Sequence, residues 1–206
     1  MLQESLDLRA EADELHAFVQ TLAPEDWERP TAFKQWTPWD VIAHLHYFDL
    51  ASMKALSGGP EFGEMQRNLI ETIVAGKNLR ELARVDFGAL EPAALTERWI
   101  TTCHDMATQL GESEPKRRLP WFGPDMGVRM FTTARLMETW AHGQEIYDLV
   151  GASRTPTDRL RSIATLGVKT FGWTFVNRKL EVPGAPPYVH LVAPSGEIWE
   201  WNEPNE

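Results

Sequence analysis

VRMFTTARLMETWAHGQEIYDLV, running from Val128 to Val150, is the clearest helix in the chain, and its reading decides the fold. At ~100° per residue, Phe131, Arg135, Glu138, Thr139, His142, Ile146 and Leu149 fall on one face. The ends of that face are apolar, as a core face should be. Its middle is Arg, Glu and His, and burying those groups without partners is costly. A metal, a ligand or a tight ion-pair network offsets that cost. Glu138 and His142 are one helical turn apart, so their side chains can converge on one ion. A carboxylate–imidazole pair at this spacing is a known metal-site device on bundle helices. Gly151 follows at the position where a helix ends in a left-handed residue.

A third ligand has to come from another helix. Thr37-Pro38-Trp39-Asp40 is a strong helix start: Thr37 caps, Pro38 suits the first helical position, and Asp40 sits where a capping box needs an acid. The helix predicted from there to about Leu56 offers His44 and His46. Val41, Leu45, Phe48 and Leu56 define its apolar face, with His44 at one edge and His46 near the other. The helical wheel does not choose between them. Two His and one Glu with an open position is a catalytic-type zinc set, whereas closed structural sites use four ligands, usually with Cys. Cys103 is the one cysteine, at core spacing, and reads as a small buried hydrophobe. The competing reading pairs Arg135 with Glu138 as a structural ion pair and leaves no metal. His16, His104 and His190 have no comparable setting and read as solvated or core residues.

Outward from these two helices, the rest of the chain reads as more helix with a small α/β end. Leu8, Ala12, Leu15, Val19 and Leu22 make one apolar stripe ended by Pro24. Residues 62–84 read as helical but less cleanly amphipathic. Residues 91–110 are better, with Trp99, Cys103, Met106 and Leu110 at helical spacing. Leu119-Pro120-Trp121-Phe122-Gly123-Pro124 is too apolar for a solvated connector, so it is expected to cover something, with Trp121 and Phe122 at the mouth of the metal pocket. Thr157 or Asp158 can cap one more helix, to about Phe175. Val189, Leu191 and Ala193 alternate as a strand, Pro194-Ser195-Gly196 turns the chain, and Ile198, Trp199 and Trp201 begin a second strand. The pairs Trp36/Trp39 and Trp199/Trp201 read as packing residues. The predicted fold is mainly α, a four-helix bundle with a small C-terminal α/β tail.

Composition narrows the function. The 206 residues are 43% hydrophobic and 24% charged, enough to bury a sizeable core. A formal net charge of -10 argues against a nucleic-acid phosphate groove and against an anionic membrane surface. Residues 1–22 carry Glu and Asp throughout and contain no apolar signal core, and a lone cysteine suits a reducing compartment, so a cytoplasmic protein is expected.

Trp36-Thr37-Pro38-Trp39-Asp40-Val41-Ile42-Ala43-His44-Leu45 resembles the first metal motif of DinB-like proteins of the mycothiol-dependent maleylpyruvate isomerase family. Ala134-Arg135-Leu136-Met137-Glu138-Thr139-Trp140-Ala141-His142-Gly143 resembles the second. The loop 119–124, Asp158-Arg159-Leu160-Arg161 and Ala193-Pro194-Ser195-Gly196-Glu197-Ile198-Trp199 resemble an actinobacterial subgroup. The resemblance selects His44 over His46, and implies a divalent ion, usually zinc, on His44, Glu138 and His142. It implies a DinB-like bundle over residues 1–151 and a short α/β tail over 152–206 packed on it. It also implies mycothiol as thiol cosubstrate, with Trp121, Phe122 and Arg135 as the expected cofactor-binding residues and no catalytic residue assigned. The metal would depress the pKa of the thiol, and the thiolate would add to a small electrophile. In an isomerase the adduct then eliminates; in an S-transferase it is the product.

Two positions depart from the family pattern. Glu145 stands where Asp is common, and the sequence stops at Glu206, where relatives usually continue with further tail that includes basic residues. Arg129, Arg135 and Lys169 are the candidates for that positive charge. Two other functions are consistent with the residues: a metal-dependent enzyme of specialised metabolism that uses no thiol, and a non-catalytic metal- or ligand-binding module. The expected partners are a small-molecule substrate and a low-molecular-weight thiol, with no nucleic acid and no membrane, in a monomer or homodimer.

Overall fold

A computed structural model describes residues 1–204. The last two positions of the tail expected over 152–206 lie outside the described residues. The chain divides into two compact units, one from Met1 to Arg154 and one from Thr155 onward.

Four long helices make the first unit: α1 (Gln3–Val19), α2 (Pro38–Ser57), α5 (Pro92–Glu112) and α6 (Val128–Val150). Two shorter ones, α3 (Glu61–Val74) and α4 (Leu79–Phe87), lie between α2 and α5 in the chain. α1 packs against α5 and α6, and α2 against α5 and α6, which closes the bundle expected from the sequence. The stripes that form it are Leu8, Ala12, Leu15 and Val19 on α1, and Leu95, Trp99, Cys103, Met106 and Leu110 on α5, all buried. Gly143 lets α6 press on α1, since a Cβ there would come within 3.2 Å of the Leu15 side chain. Past α6, Arg154 turns back onto α1, pairing with the buried Glu11 and with Glu14, and donates to the Trp140 carbonyl at 3.0 Å.

The predicted helix over 62–84 is two helices, α3 and α4. Gly76 breaks it at φ 76°, and Asn78 starts the second half by accepting from the Glu81 N–H at 3.1 Å. The apolar loop of residues 119–124 is the turn of a short hairpin, β1 (Arg118–Leu119) against β2 (Met126–Gly127), which leads directly into α6.

The second unit holds α7 (Leu160–Lys169), α8 (Phe171–Asn177) and an antiparallel hairpin of β3 (Val189–Val192) and β4 (Ile198–Trp201). The helix predicted to run unbroken to Phe175 is interrupted at Thr170, where ψ is 5° and the backbone leaves the helix. Neither Thr157 nor Asp158 caps α7; Asp158 accepts from the Ser195 N–H at 3.1 Å instead. Trp201 donates from Nε1 to the Thr165 hydroxyl at 3.2 Å, a packing role of the expected kind. No helix among the described residues is long and apolar enough to cross a membrane.

Candidate metal centre

α2 and α6 bring the polar cluster together. The Thr37–Asp40 capping box starts α2 so that His44, two turns in, faces α6: Asp40 N–H donates to the Thr37 hydroxyl at 3.3 Å and Thr37 N–H to Asp40 Oδ2 at 2.9 Å. Glu138 Oε2 lies 3.3 Å from His44 Nε2 and 3.3 Å from His142 Nε2. The ligand-type atoms of the three residues all fall within 4.8 Å of one another. Tetrahedral ligands about 2.1 Å from one ion stand about 3.4 Å apart, so both measured separations suit a shared ion. Among the described residues, this is the one group of three or more His, Cys, Asp or Glu side chains so placed.

The protonation states also suit a cation. Burial holds His44 down to about 4, so its ring is neutral at neutral pH, the form that can bind a cation. Burial by itself would raise Glu138, but hydrogen bonding to His142 and His44 and the nearby Arg135 charge outweigh it and hold the carboxyl well below its ordinary range. His46 is not part of the group. It points the other way, onto Phe87 with ring centroids 4.9 Å apart, and burial with the Arg98 charge lowers it to about 4. His16 and His104 are tied to carboxylates elsewhere, Glu97 at 3.0 Å and Asp13 at 2.6 Å, and His190 packs on Tyr188.

Three groups around the trio were not among the site residues expected from the sequence. Asp49, fully buried, grips Arg135 through one oxygen, Oδ1, at 3.1 Å from Nε and 2.8 Å from Nη2. The structural ion pair that might have joined Arg135 to Glu138 is therefore made with Asp49, one turn past His44 on α2. Burial raises the Asp49 carboxyl, with Arg135 opposing. Cys103 lies in the same buried neighbourhood, its thiol raised well above the ordinary value by burial and by the Asp49 charge, which suits an inert core residue. Trp36 is the second missed group: it stacks on His142 at 5.7 Å and tilts onto His44 at 4.9 Å, so it does more than pack. Phe33 meets the His142 ring edge-on at 5.2 Å. The turn that presents both rings puts Lys34 and Gln35 at φ 50° and 59°, left-handed conformations that cost roughly 1 kcal/mol or more each in a non-glycine residue. Strain of that kind persists where the surroundings demand it.

A cavity of about 190 Å³ opens beside His44 and Glu138. Arg135 shares its polar part, and Phe48, Trp121 and Phe131, with Leu79 and Met126, make the rest. Trp121 has two roles. It walls the cavity, meeting Phe131 at 4.8 Å, and it packs into the cluster of Phe62 and Met65 on α3 with Tyr47 on α2. Gln66 holds it in place by donating to its carbonyl at 3.1 Å. Phe122 packs on Phe48 and Phe62 at 5.5 and 5.3 Å and is not part of the cavity wall. Of the two basic residues of this unit named as sources of positive charge, Arg135 is held by Asp49 and Arg129 by Glu4 at 2.8 Å.

Residues 8–147 match the family model described as the mycothiol maleylpyruvate isomerase N-terminal domain. Two uncharacterized proteins, from two strains of Mycobacterium tuberculosis, are each 37% identical over 195 residues, 95% of this chain and 75% of theirs. Two crystal structures, of the mycothiol-dependent maleylpyruvate isomerase and of a histidine-to-alanine mutant of it, superpose with TM-scores of 0.60 and 0.59 at 14% and 15% identity. Each match covers 95% of this chain and 78% of the other, a likeness that establishes the shared fold.

Proposed function

The chain belongs to the mycothiol maleylpyruvate isomerase N-terminal domain family, and from that premise we propose a divalent-metal-dependent enzyme that uses a low-molecular-weight thiol of the mycothiol type on a small electrophilic metabolite, as an isomerase or an S-transferase. The observation that carries the reading is the meeting of His44, Glu138 and His142 at the edge of a cavity. Two imidazoles and one carboxylate are the donor set of a catalytic zinc with an open position, and among the described residues no Cys stands with them to close it. A divalent ion held there would supply an acidic centre at which a thiol loses its proton near neutral pH.

The chain's own groups have separate tasks in this reading. His44 and His142 offer imidazole Nε2 atoms, and Glu138 offers the charge that balances an ion. Trp36 and Phe33 pack on the imidazoles, fix their planes and keep water from that side. Asp49 holds Arg135 beside Glu138, where its charge adds to the hydrogen bonds of His142 and His44 that lower the carboxyl. The cavity walled by Phe48, Trp121 and Phe131 receives the reacting partner.

Metal analysis and a mycothiol titration of the purified protein test the proposal together. The expected result is about one equivalent of a divalent metal, and saturable mycothiol binding that chelation abolishes. Full metal content in both Glu138→Gln and His142→Ala would overturn the site. Metal without any mycothiol binding would overturn the thiol and leave a metal enzyme that uses none.

A further inference from the structure

The cavity beside the trio is poor in charge in a way that bears on what it accepts. Three aromatic rings, Phe48, Trp121 and Phe131, form its walls, and the cationic side chain among its lining residues is Arg135. One edge of that guanidinium is taken. Its Nε and Nη2 both donate to Asp49 Oδ1, at 3.1 and 2.8 Å, and the residue is buried. The Nε–Nη2 edge of Arg135 is committed to Asp49, and the Nη1–Nη2 edge, which has no part in that contact, keeps the N–H pair that a carboxylate can use. Glu138, the acid among the lining residues, belongs to the trio. A carboxylate placed beyond Arg135, against the aromatic faces, would be a buried charge with no partner there. An apolar group would meet surfaces made for it. At about 190 Å³, the cavity compares with apolar cavities of ~150 Å³ that hold one benzene ring.

Along α6 the polar and apolar parts are in sequence. Phe131, Arg135, Glu138 and His142 succeed one another a turn at a time, so Phe131 lies about 10 Å from Glu138 along the axis. On α2, His44 and Phe48 sit one turn apart beside them, their rings 4.8 Å from each other. A molecule with a reactive group at the trio therefore extends its remainder over Phe48 toward Trp121 and Phe131.

We propose that the substrate of this site carries a compact apolar group, a single aromatic ring or a branched alkyl of similar size, bound against Phe48, Trp121 and Phe131, and that this aromatic end of the cavity does not take a carboxylate. The proposal rests on the metal-site reading above for the end at which the reactive group lies, but not for the apolar end.

Two probes of the cobalt-loaded full chain test the class. Phenylmethanethiol and mercaptosuccinate both offer a thiol; the first adds a ring and the second two carboxylates. Calorimetry should give the aryl thiol about tenfold or more tighter binding, the scale set by burying one aromatic ring. Trp121→Ala should lose most of that preference while keeping its metal. Equal or tighter binding of mercaptosuccinate would overturn the proposal, as would an unchanged preference in the folded variant. If Trp121→Ala does not fold, Ala134→Leu serves instead, since Ala134 lines the cavity and the larger side chain fills it. A third probe, 4-fluorotoluene followed by fluorine NMR, needs no ion. Saturable binding to the metal-free chain, lost in Ala134→Leu, is expected whether or not a metal binds; no binding to the wild type would refute the apolar subsite even with the metal site intact.

Discussion

Asp49 is a residue whose importance no spacing rule reveals. It sits on α2 one turn after Leu45, and in the sequence it is an ordinary acid in a helix. In the fold it is fully buried and neutralises Arg135 from 2.8 Å. Removing one partner of a buried pair leaves the other charge stranded, so Asp49→Ala should lose about 3–5 kcal/mol of stability. Urea denaturation measures it, and a loss within the range of a surface substitution would contradict the assignment. Asp49→Ala should also weaken metal binding, because a freed Arg135 can turn to Glu138. The three candidate ligands behave in the opposite way. His142→Ala and Glu138→Gln each remove an ion's partner at a half-buried position, so metal stoichiometry should vanish while circular dichroism shows a folded helical protein. Wholesale unfolding of either variant would show that the trio serves the core and not an ion. Glu138 and His142 stood out as a pair one turn apart on α6, whereas the local pattern left His44 and His46 open and the family resemblance selected His44. Asp49, Phe33 and Trp36 owe their roles to contacts across the bundle, and the left-handed turn at Lys34 and Gln35 has no glycine to announce it.

Helix ends were legible where a local mark, a capping box or a glycine, sets them. The box at Thr37 and Asp40, the stop at Gly151 and the start of α6 at Val128 lie where the residues predict. Asp40 shows what such local reading leaves out. Its carboxylate caps α2 and also binds Arg80 and Arg84 of α4, at 2.8 and 2.6 Å, tying α4 to the start of the helix that bears His44. Burial would raise this carboxyl. The hydrogen bonds from Arg84 and Thr37 and the charges of Arg84 and Arg80 more than offset it, and the net shift is downward. A carboxylate with a lowered folded pKa contributes stability above its unfolded value, about 3.9, and loses it as pH falls through the folded one. The acid limb of the stability curve should therefore flatten in Asp40→Asn, which is also expected to be less stable at neutral pH. An acid limb unchanged from the wild type would remove Asp40 as its source. Thr37→Ala should cost about 1 kcal/mol through the lost cap alone. The split of residues 62–84 into α3 and α4 had its own local marks, Gly76 and the pair Asn78 and Glu81. A continuous helical composition masked them.

At the scale of the whole molecule, the first unit has a core that does not depend on an ion. The stripes of α1, α2, α5 and α6 bury Leu8, Leu15, Leu45, Trp99 and Leu136 almost completely. A core of this size holds a fold together without metal, unlike that of a zinc finger. Chelation should accordingly leave the far-ultraviolet circular dichroism unchanged and lower Tm only by the binding linkage, ~2.7 kcal/mol where free metal stood at a hundred times its Kd. Loss of the helical spectrum on chelation would make the ion structural. The sequence by itself determined the helical bundle, the capped start of α2 and the metal-type residues on α6, because those rest on periodicities and short-range hydrogen bonds within a turn or two. Only the tertiary structure decided that His44 faces the pair while His46 turns away to Phe87, that Arg135 belongs to Asp49, and that Trp121 and Phe131 meet as one wall. Those outcomes depend on how α2 and α6 are rotated against each other, and that rotation is set by the packing of the whole core, which no single segment encodes.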